Sequence, residues 1–269
     1  FKQKTAYEIY QCDWSSDVCS SDLEFEELAT RPKIDTHWHT SGWNIIEPKA
    51  SLDDVSNTMR RYNFCAAVTS SIRALSDDLV AGNEETASFL DREPRARGLI
   101  VVNPLQPDRS IAEIERWSTD PRFVAAKTIQ DFYGLTLASP QYRPILDKLA
   151  MLPDMPMMAH LPGMKEMAMA YPGVGFIAAH STWRHRELAS LPNVWFDIAT
   201  STAVEQESDI ADLIAAVGPE RVIFSSDAPL MDPAWTLGKL AFLDLPAAAL
   251  EMVLNANAVK AFPRLAKVP

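Results

Sequence analysis

Eight short runs rich in β-branched, aromatic and other apolar residues set the strongest limit on what this chain can fold into. They fall at Lys33–His37, Cys65–Ile72, Ala96–Asn103, Phe123–Ile129, Met155–His160, Gly173–His180, Val194–Ala199 and Arg221–Ser226. Each reads as a strand, and helical patterns lie between them. Ser51 to Tyr62 opens with Ser51-x-x-Asp54, the start of a capping box, and carries Leu52, Val55, Met59 and Tyr62 at helical spacing. Ile210, Leu213, Ile214 and Val217 repeat at i, i+3, i+4 and i+7 before Gly218-Pro219 stops the helix. Further helices are expected over Asp77–Asp91, Ile111–Trp117, Gln141–Met151 and Pro246–Asn255. Eight strands alternating with helices predict one α/β domain, a parallel (β/α)₈ barrel. The other arrangement, a doubly wound open sheet, lacks the Gly-x-Gly-x-x-Gly that would follow an early strand.

In such a barrel the chemistry sits at the C-terminal ends of the strands. The chain has five histidines, and four of them lie at predicted strand ends. His37 and His39 are two residues apart on the first strand, so their imidazoles share one face. His160 ends the fifth and His180 the sixth, Asp227 follows the eighth, and Lys127 lies near the end of the fourth. Alone, each has an ordinary explanation: His160 a satisfied core histidine, His180 a partner of Ser181 or Thr182, Asp227 a helix cap, Lys127 a stem reaching solvent. Together, imidazoles and a carboxylate on one rim suit zinc or a similar divalent ion. His185, in Trp183-Arg184-His185-Arg186, reads as a surface residue at a helix start.

Charge and composition exclude several classes. A net charge of −11 disfavours nucleic acid and anionic membranes as partners, and no run of apolar residues is long enough to span a membrane. A small-molecule substrate is expected, with a homo-oligomer allowed. Asp13-Trp14-Ser15-Ser16-Asp17-Val18-Cys19-Ser20-Ser21-Asp22-Leu23 has neither helical nor strand periodicity. It resembles, codon for codon, the translation of a common sequencing adapter. Residues 1–23 are therefore expected to be non-native and residues 24–269 to form the domain. No signal peptide is legible. With Cys12 and Cys19 set aside, Cys65 remains, expected as a buried, unpaired thiol, which suits a reducing, cytoplasmic setting.

The residues now in view resemble the amidohydrolase superfamily, in its amidohydrolase-related branch of metal-dependent hydrolases and some decarboxylases. The likeness rests on Ile34-Asp35-Thr36-His37-Trp38-His39, Met158-Ala159-His160, Ile177-Ala178-Ala179-His180, Phe224-Ser225-Ser226-Asp227-Ala228-Pro229 and Asn255-Ala256-Asn257-Ala258. It implies a distorted (β/α)₈ barrel holding one or two divalent metals, with His37, His39, His160 and Asp227 as ligands. It implies for His180 either a ligand of a second metal or an electrophile beside the substrate. It sets Lys127 where some relatives carry a carboxylated, metal-bridging lysine. That branch often has Lys-x-His-Pro there, whereas this chain has Lys127-Thr128-Ile129-Gln130, which favours a single ion, zinc first.

The expected chemistry is attack by metal-activated water on a carbonyl or phosphoryl centre. Asp227 would move the proton and His180 would stabilise the oxyanion. Arg73 is a candidate for pairing a substrate carboxylate, and Trp38, Trp43 and Trp183 for lining an apolar pocket. Three readings stay open: a hydrolase acting on a lactone, amide or ester; a non-oxidative decarboxylase with the same ligands; and a non-catalytic binding barrel.

Overall fold

The structure, a computed structural model, describes residues 20–40, 51–199, 209–243 and 245–267. Eight strands form one sheet in sequence order, every neighbouring pair parallel. They are β1 (Lys33–Thr40), β2 (Phe64–Ser71), β3 (Ala96–Val101), β4 (Phe123–Lys127), β5 (Met157–Ala159), β6 (Phe176–Ala178), β7 (Val194–Asp197) and β8 (Val222–Ile223). The chain after β8 returns to β1. Thr36 N–H donates to Phe224 O at 3.2 Å, Asp227 N–H to His37 O at 2.9 Å and His39 N–H to Ala228 O at 2.7 Å. The sheet is thereby nearly closed into a (β/α)₈ barrel.

Two apolar layers hold it. Val68, Leu99, Val124, Met158, Ile177 and Ile223 point inward and pack with Phe262 as the inner core. The opposite faces of the same strands meet the helices in a larger cluster that includes Trp38, Phe64, Ile100, Phe123, Phe196 and Phe224. Burying one such large side chain is worth roughly 1.5–3 kcal/mol.

Local signals act as their chemistry dictates. Ser51 caps the helix Leu52–Arg61: its hydroxyl accepts from Asp54 N–H at 3.2 Å, and its own N–H donates to the Asp54 carboxylate at 3.0 Å. The pattern expected from Asp77 resolves into Leu79–Leu90, capped by Asp78, after a short turn of helix at Ile72–Ser76. The helix expected over Pro246–Asn255 is α-helical only at Ala247–Glu251 and widens into a π-helical turn at Met252–Ala256. Periodicity also misses the helices Met164–Ala170, Ala234–Ala241 and Asn257–Ala261, which are too short to show a stripe.

Residues 1–19, most of the adapter-like segment, lie outside the described residues, as does Trp43. The helix Ser20–Thr30 begins within that segment, and its Leu28 is buried in the outer cluster. One expectation is corrected: Cys65 is exposed, not buried. It is the second residue of β2, alternating with the buried Phe64 before it, and its thiol donates to Lys33 O at 3.1 Å. Among the described residues no helix is long and apolar enough to cross a membrane.

Candidate metal centre

Strand alternation builds the centre. Asp35, His37 and His39 project into the barrel from β1, and Trp38 between them points outward. All are at most 1% exposed. Lys127 ends β4, His160 follows β5, His180 lies two residues past β6, and Asp227 stands in the return from β8 to β1. Apart from Asp35, which lies in the first half of β1, these positions fall in the C-terminal half of a strand or just beyond it.

Among the described residues, one group of histidine and acidic side chains could hold an ion: His37, His180 and Asp227, whose donor atoms lie within 4.8 Å of one another. His39 borders the group, its Nε2 3.2 Å from Asp227 Oδ1. The His160 ring stands edge-on to that of His180, 5.1 Å between centroids. The tight trio thus contains His180, where the family resemblance implied His39 and His160. Three local contacts accompany the difference. Lys127 Nζ lies 2.5 Å from His37 Nε2 and 3.4 Å from His39 Nε2, on the nitrogens an ion would use. His160 Nδ1 is 2.6 Å from Asp131 Oδ2.

The backbone is strained at the same point. Of the non-glycine residues described, three have φ in the left-handed region, and two of them are His180 (56°) and Asp227 (65°). Such conformations cost about 1–3 kcal/mol each and collect where geometry serves a site.

Hydrogen bonds fix which nitrogen of each ring is free. His37 Nδ1 donates to Asp197 Oδ2 at 2.8 Å, and His180 Nδ1 donates to the Ala199 carbonyl at 2.9 Å. A carbonyl or an ionised carboxylate only accepts, so in each neutral ring Nε2 keeps its lone pair. Burial pushes the pKa of His37 below the ordinary histidine value, that of His39 down to about 3 and that of His160 down to about 4, with the nearby Lys127 acting in the same direction. Burial likewise lowers Lys127 to about 8. Burial alone would raise Asp227 and Asp197, but the surrounding imidazoles hold both carboxyls below their ordinary range. Neutral imidazoles with fixed lone pairs beside an ionised carboxylate are the donor set a divalent ion needs. The residues therefore fit one.

Three supporting residues escape sequence reasoning. Asp197 is fully buried and also accepts from Ser225 Oγ and Ala199 N–H. Asp35 accepts from His37 N–H and from the N–H and hydroxyl of Ser226. Gln130 holds the chain at His160, accepting from His160 N–H at 3.1 Å and donating to His160 O at 2.6 Å. Asp197 ends β7 and lies near the end of the predicted strand Val194–Ala199, so the rule that found His160 could have found it. Gln130 and Asp131 carry no sequence signal.

The two substrate-binding candidates are not brought to the centre. Trp38 faces the outer layer, edge-on to Phe64 with ring centroids 5.6 Å apart, because it alternates with His37 and His39. Arg73 is exposed and lies 3.8 Å from Asp77. Trp183 is flanked by Arg184 and Arg186, which stack on its ring. Instead, a cavity of about 570 Å³ opens beside His160 and His180, lined also by Asp131, Lys165, His185 and Glu187.

Comparison with known proteins agrees with this architecture. The amidohydrolase family profile matches residues 34–264. No curated protein matches the chain. Among solved structures, 2,6-dihydroxybenzoate decarboxylase from Rhizobium superposes with a TM-score of 0.70 at 16% identity, covering 87% of this chain and 99% of that one. The 5-carboxyvanillate decarboxylase from Sphingomonas paucimobilis gives 0.66 at 15%, covering 86% and 99%. A dihydroxybenzoic acid decarboxylase from Polaromonas sp. JS666, with manganese and the inhibitor 2-nitroresorcinol, gives 0.69 at 16%, covering 87% and 97%. At these identities the likeness establishes the barrel.

Proposed function

The chain belongs to the amidohydrolase family, and from that premise we propose that it is a metal-dependent hydrolase of a small carbonyl compound, a lactone, amide or ester. The observation that carries this reading is Asp227, an ionised carboxylate grouped with His37 and His180 beside an open cavity. His37, His39, His180 and Asp227 would hold a single divalent ion, with His160 at its edge. When bound, such an ion polarises a carbonyl and acidifies water. Zinc suits the imidazole-rich set best, and manganese is the ion named in one similar structure.

The remaining steps belong to the side chains. Asp227, low in pKa, is suited to accept a proton from water and pass it to the leaving group. His180 holds its proton at Nδ1 against Ala199 O, so its neutral Nε2 is suited to ligation and not to donating to an oxyanion. Asp197 keeps His37 in the ligating tautomer. The nearly closed barrel and its apolar inner core keep bulk water from the buried side of these groups.

A second reading is favoured by the similar structures, several of which are decarboxylases of hydroxylated aromatic acids. In that reaction the ring carbon takes up a proton as its bond to carbon dioxide breaks and carbon dioxide leaves. Asp227 would therefore first have to take that proton from water or from a substrate hydroxyl and then hand it to the ring carbon. A cytoplasmic site of action suits the free Cys65 thiol.

Elemental analysis of the purified protein and a substrate panel with mass detection test both readings. Addition of water to a lactone, ester or amide supports hydrolysis, and loss of carbon dioxide from a hydroxybenzoate supports the second reading. Asp227→Ala should abolish whichever activity is found. A protein that retains no divalent ion would overturn both.

A further inference from the structure

His185 lines the same cavity as His160 and His180, although its sequence context suggests a plain surface histidine. It sits in the first turn of the 3-10 helix Trp183–Ser190, whose cap is Thr182. The Thr182 backbone N–H donates to His185 Nδ1 at 3.0 Å. A ring nitrogen that accepts an N–H must present its lone pair, so in the neutral ring the proton sits on Nε2. Burial lowers the pKa of this half-buried ring, which favours the neutral form. Among the described residues nothing accepts from Nε2. The backbone cap therefore turns Nδ1 away and leaves an N–H donor for the cavity.

The charges around the cavity narrow what that donor can meet. Among the described residues, Lys165 is the one lysine or arginine in the lining, against Glu166, Glu187 and the Asp131 carboxylate already bound to His160. A second anionic group on a ligand would face an acidic wall, whereas an uncharged oxygen would not.

We propose that His185 is a substrate-contacting, specificity-determining residue whose Nε2–H donates to an uncharged oxygen of the substrate, a hydroxyl, ether or carbonyl separate from the group held at the histidine–aspartate centre. This rests on the reading of the cavity as the substrate chamber of a metal-dependent enzyme. The substrate class it selects is small bifunctional molecules, with one reacting carbonyl and one neutral oxygen acceptor.

The test uses the full, metal-loaded chain. Calorimetry compares benzoate with its ortho-, meta- and para-hydroxy derivatives on the wild type, His185→Phe and His185→Gln. One hydroxy isomer should bind the wild type about three- to tenfold more tightly than benzoate, the increment of one hydrogen bond. That advantage should vanish in His185→Phe and survive in His185→Gln, with metal content and benzoate affinity unchanged. An advantage that persists in His185→Phe, or that no isomer shows on the wild type, overturns the proposal. Imidazole nitrogen NMR of the wild type supplies an arm that needs no variant: His185 should be the Nε2–H tautomer, and the Nδ1–H tautomer would refute the donor assignment. A wild type that holds no divalent ion sinks the metal reading, while metal-loaded protein indifferent to His185→Phe sinks this proposal alone.

Discussion

His37 donates from Nδ1 to Asp197 Oδ2 across 2.8 Å, while the other oxygen of the same carboxylate accepts from Ser225 Oγ at 2.6 Å and from Ala199 N–H at 2.7 Å. The two oxygens thus have different tasks. One is claimed by donors from the loops, and the other sets the tautomer of His37, a proposed metal ligand.

Asp197→Asn follows directly from that division. The amide oxygen must take the place beside Ser225 and Ala199, which turns the NH₂ toward His37 Nδ1. Two donors cannot face each other, so His37 shifts its proton to Nε2 and loses its lone pair. Metal affinity should fall by about 10- to 100-fold, with secondary structure unchanged. Chelator competition measures it, and an affinity equal to wild type would refute the tautomer argument.

Lys127 competes with an ion for nitrogen. Its Nζ stands 2.5 and 3.4 Å from Nε2 of His37 and His39. Like charges about 4 Å apart repel by roughly 4 kcal/mol at an effective dielectric of about 20. Lys127→Met should therefore raise metal affinity by about tenfold or more and leave a single ion bound. A halved metal content would instead identify Lys127 as a carboxylated bridge between two ions.

Acid should destabilise the metal-free protein earlier than its carboxylates alone would. His37, His39 and His160 have folded pKa values below the ordinary 6.5, with His39 near 3 and His160 near 4. Between those values and 6.5 the unfolded chain binds more protons, so stability falls as pH falls. Asp35, raised by burial to about 7, works in the opposite direction over the same window, but it is one group against three. Each imidazole contributes a slope of up to about 1.4 kcal/mol per pH unit. Melting temperatures of chelator-treated protein should drop steadily from pH 6.5 to 4.5, and a flat profile there would contradict the burial of these rings.

The segment 1–23 resembles adapter translation and lacks periodicity, whereas Phe25 and Leu28 pack against or within the outer cluster. A chain starting at Glu24 should keep its melting temperature and its metal. A loss of several degrees would make the segment part of the fold.

The architecture was legible because period-2 and period-3.6 patterns alternate along the chain, and the rim followed because His37, His39, His160, His180 and Asp227 fall at strand ends. What stayed hidden depends on contacts between distant loops. His160 pairs with Asp131 and is held by Gln130, residues of the strand-four loop that no local pattern marks. His185 reads as a surface residue because its role comes from the Thr182 N–H behind it and the cavity before it. Proximity in sequence suggests Trp38 for the pocket, yet alternation on β1 sends it to the opposite face. The apolar neighbours of Cys65 suggest a buried thiol, but it is the second residue of β2 and alternates with the buried Phe64.

The joint between the first strand and the last loop also governs timing. Asp35 and Ser226 bond across 191 residues of chain, and His37 and Asp227 meet through the same seam. During synthesis from the N-terminus His37 and His39 therefore exist long before Asp227. A nascent chain lacking the segment around Asp227 has no complete cluster, so an ion held as proposed would be acquired only after the ribosome has made most of the chain.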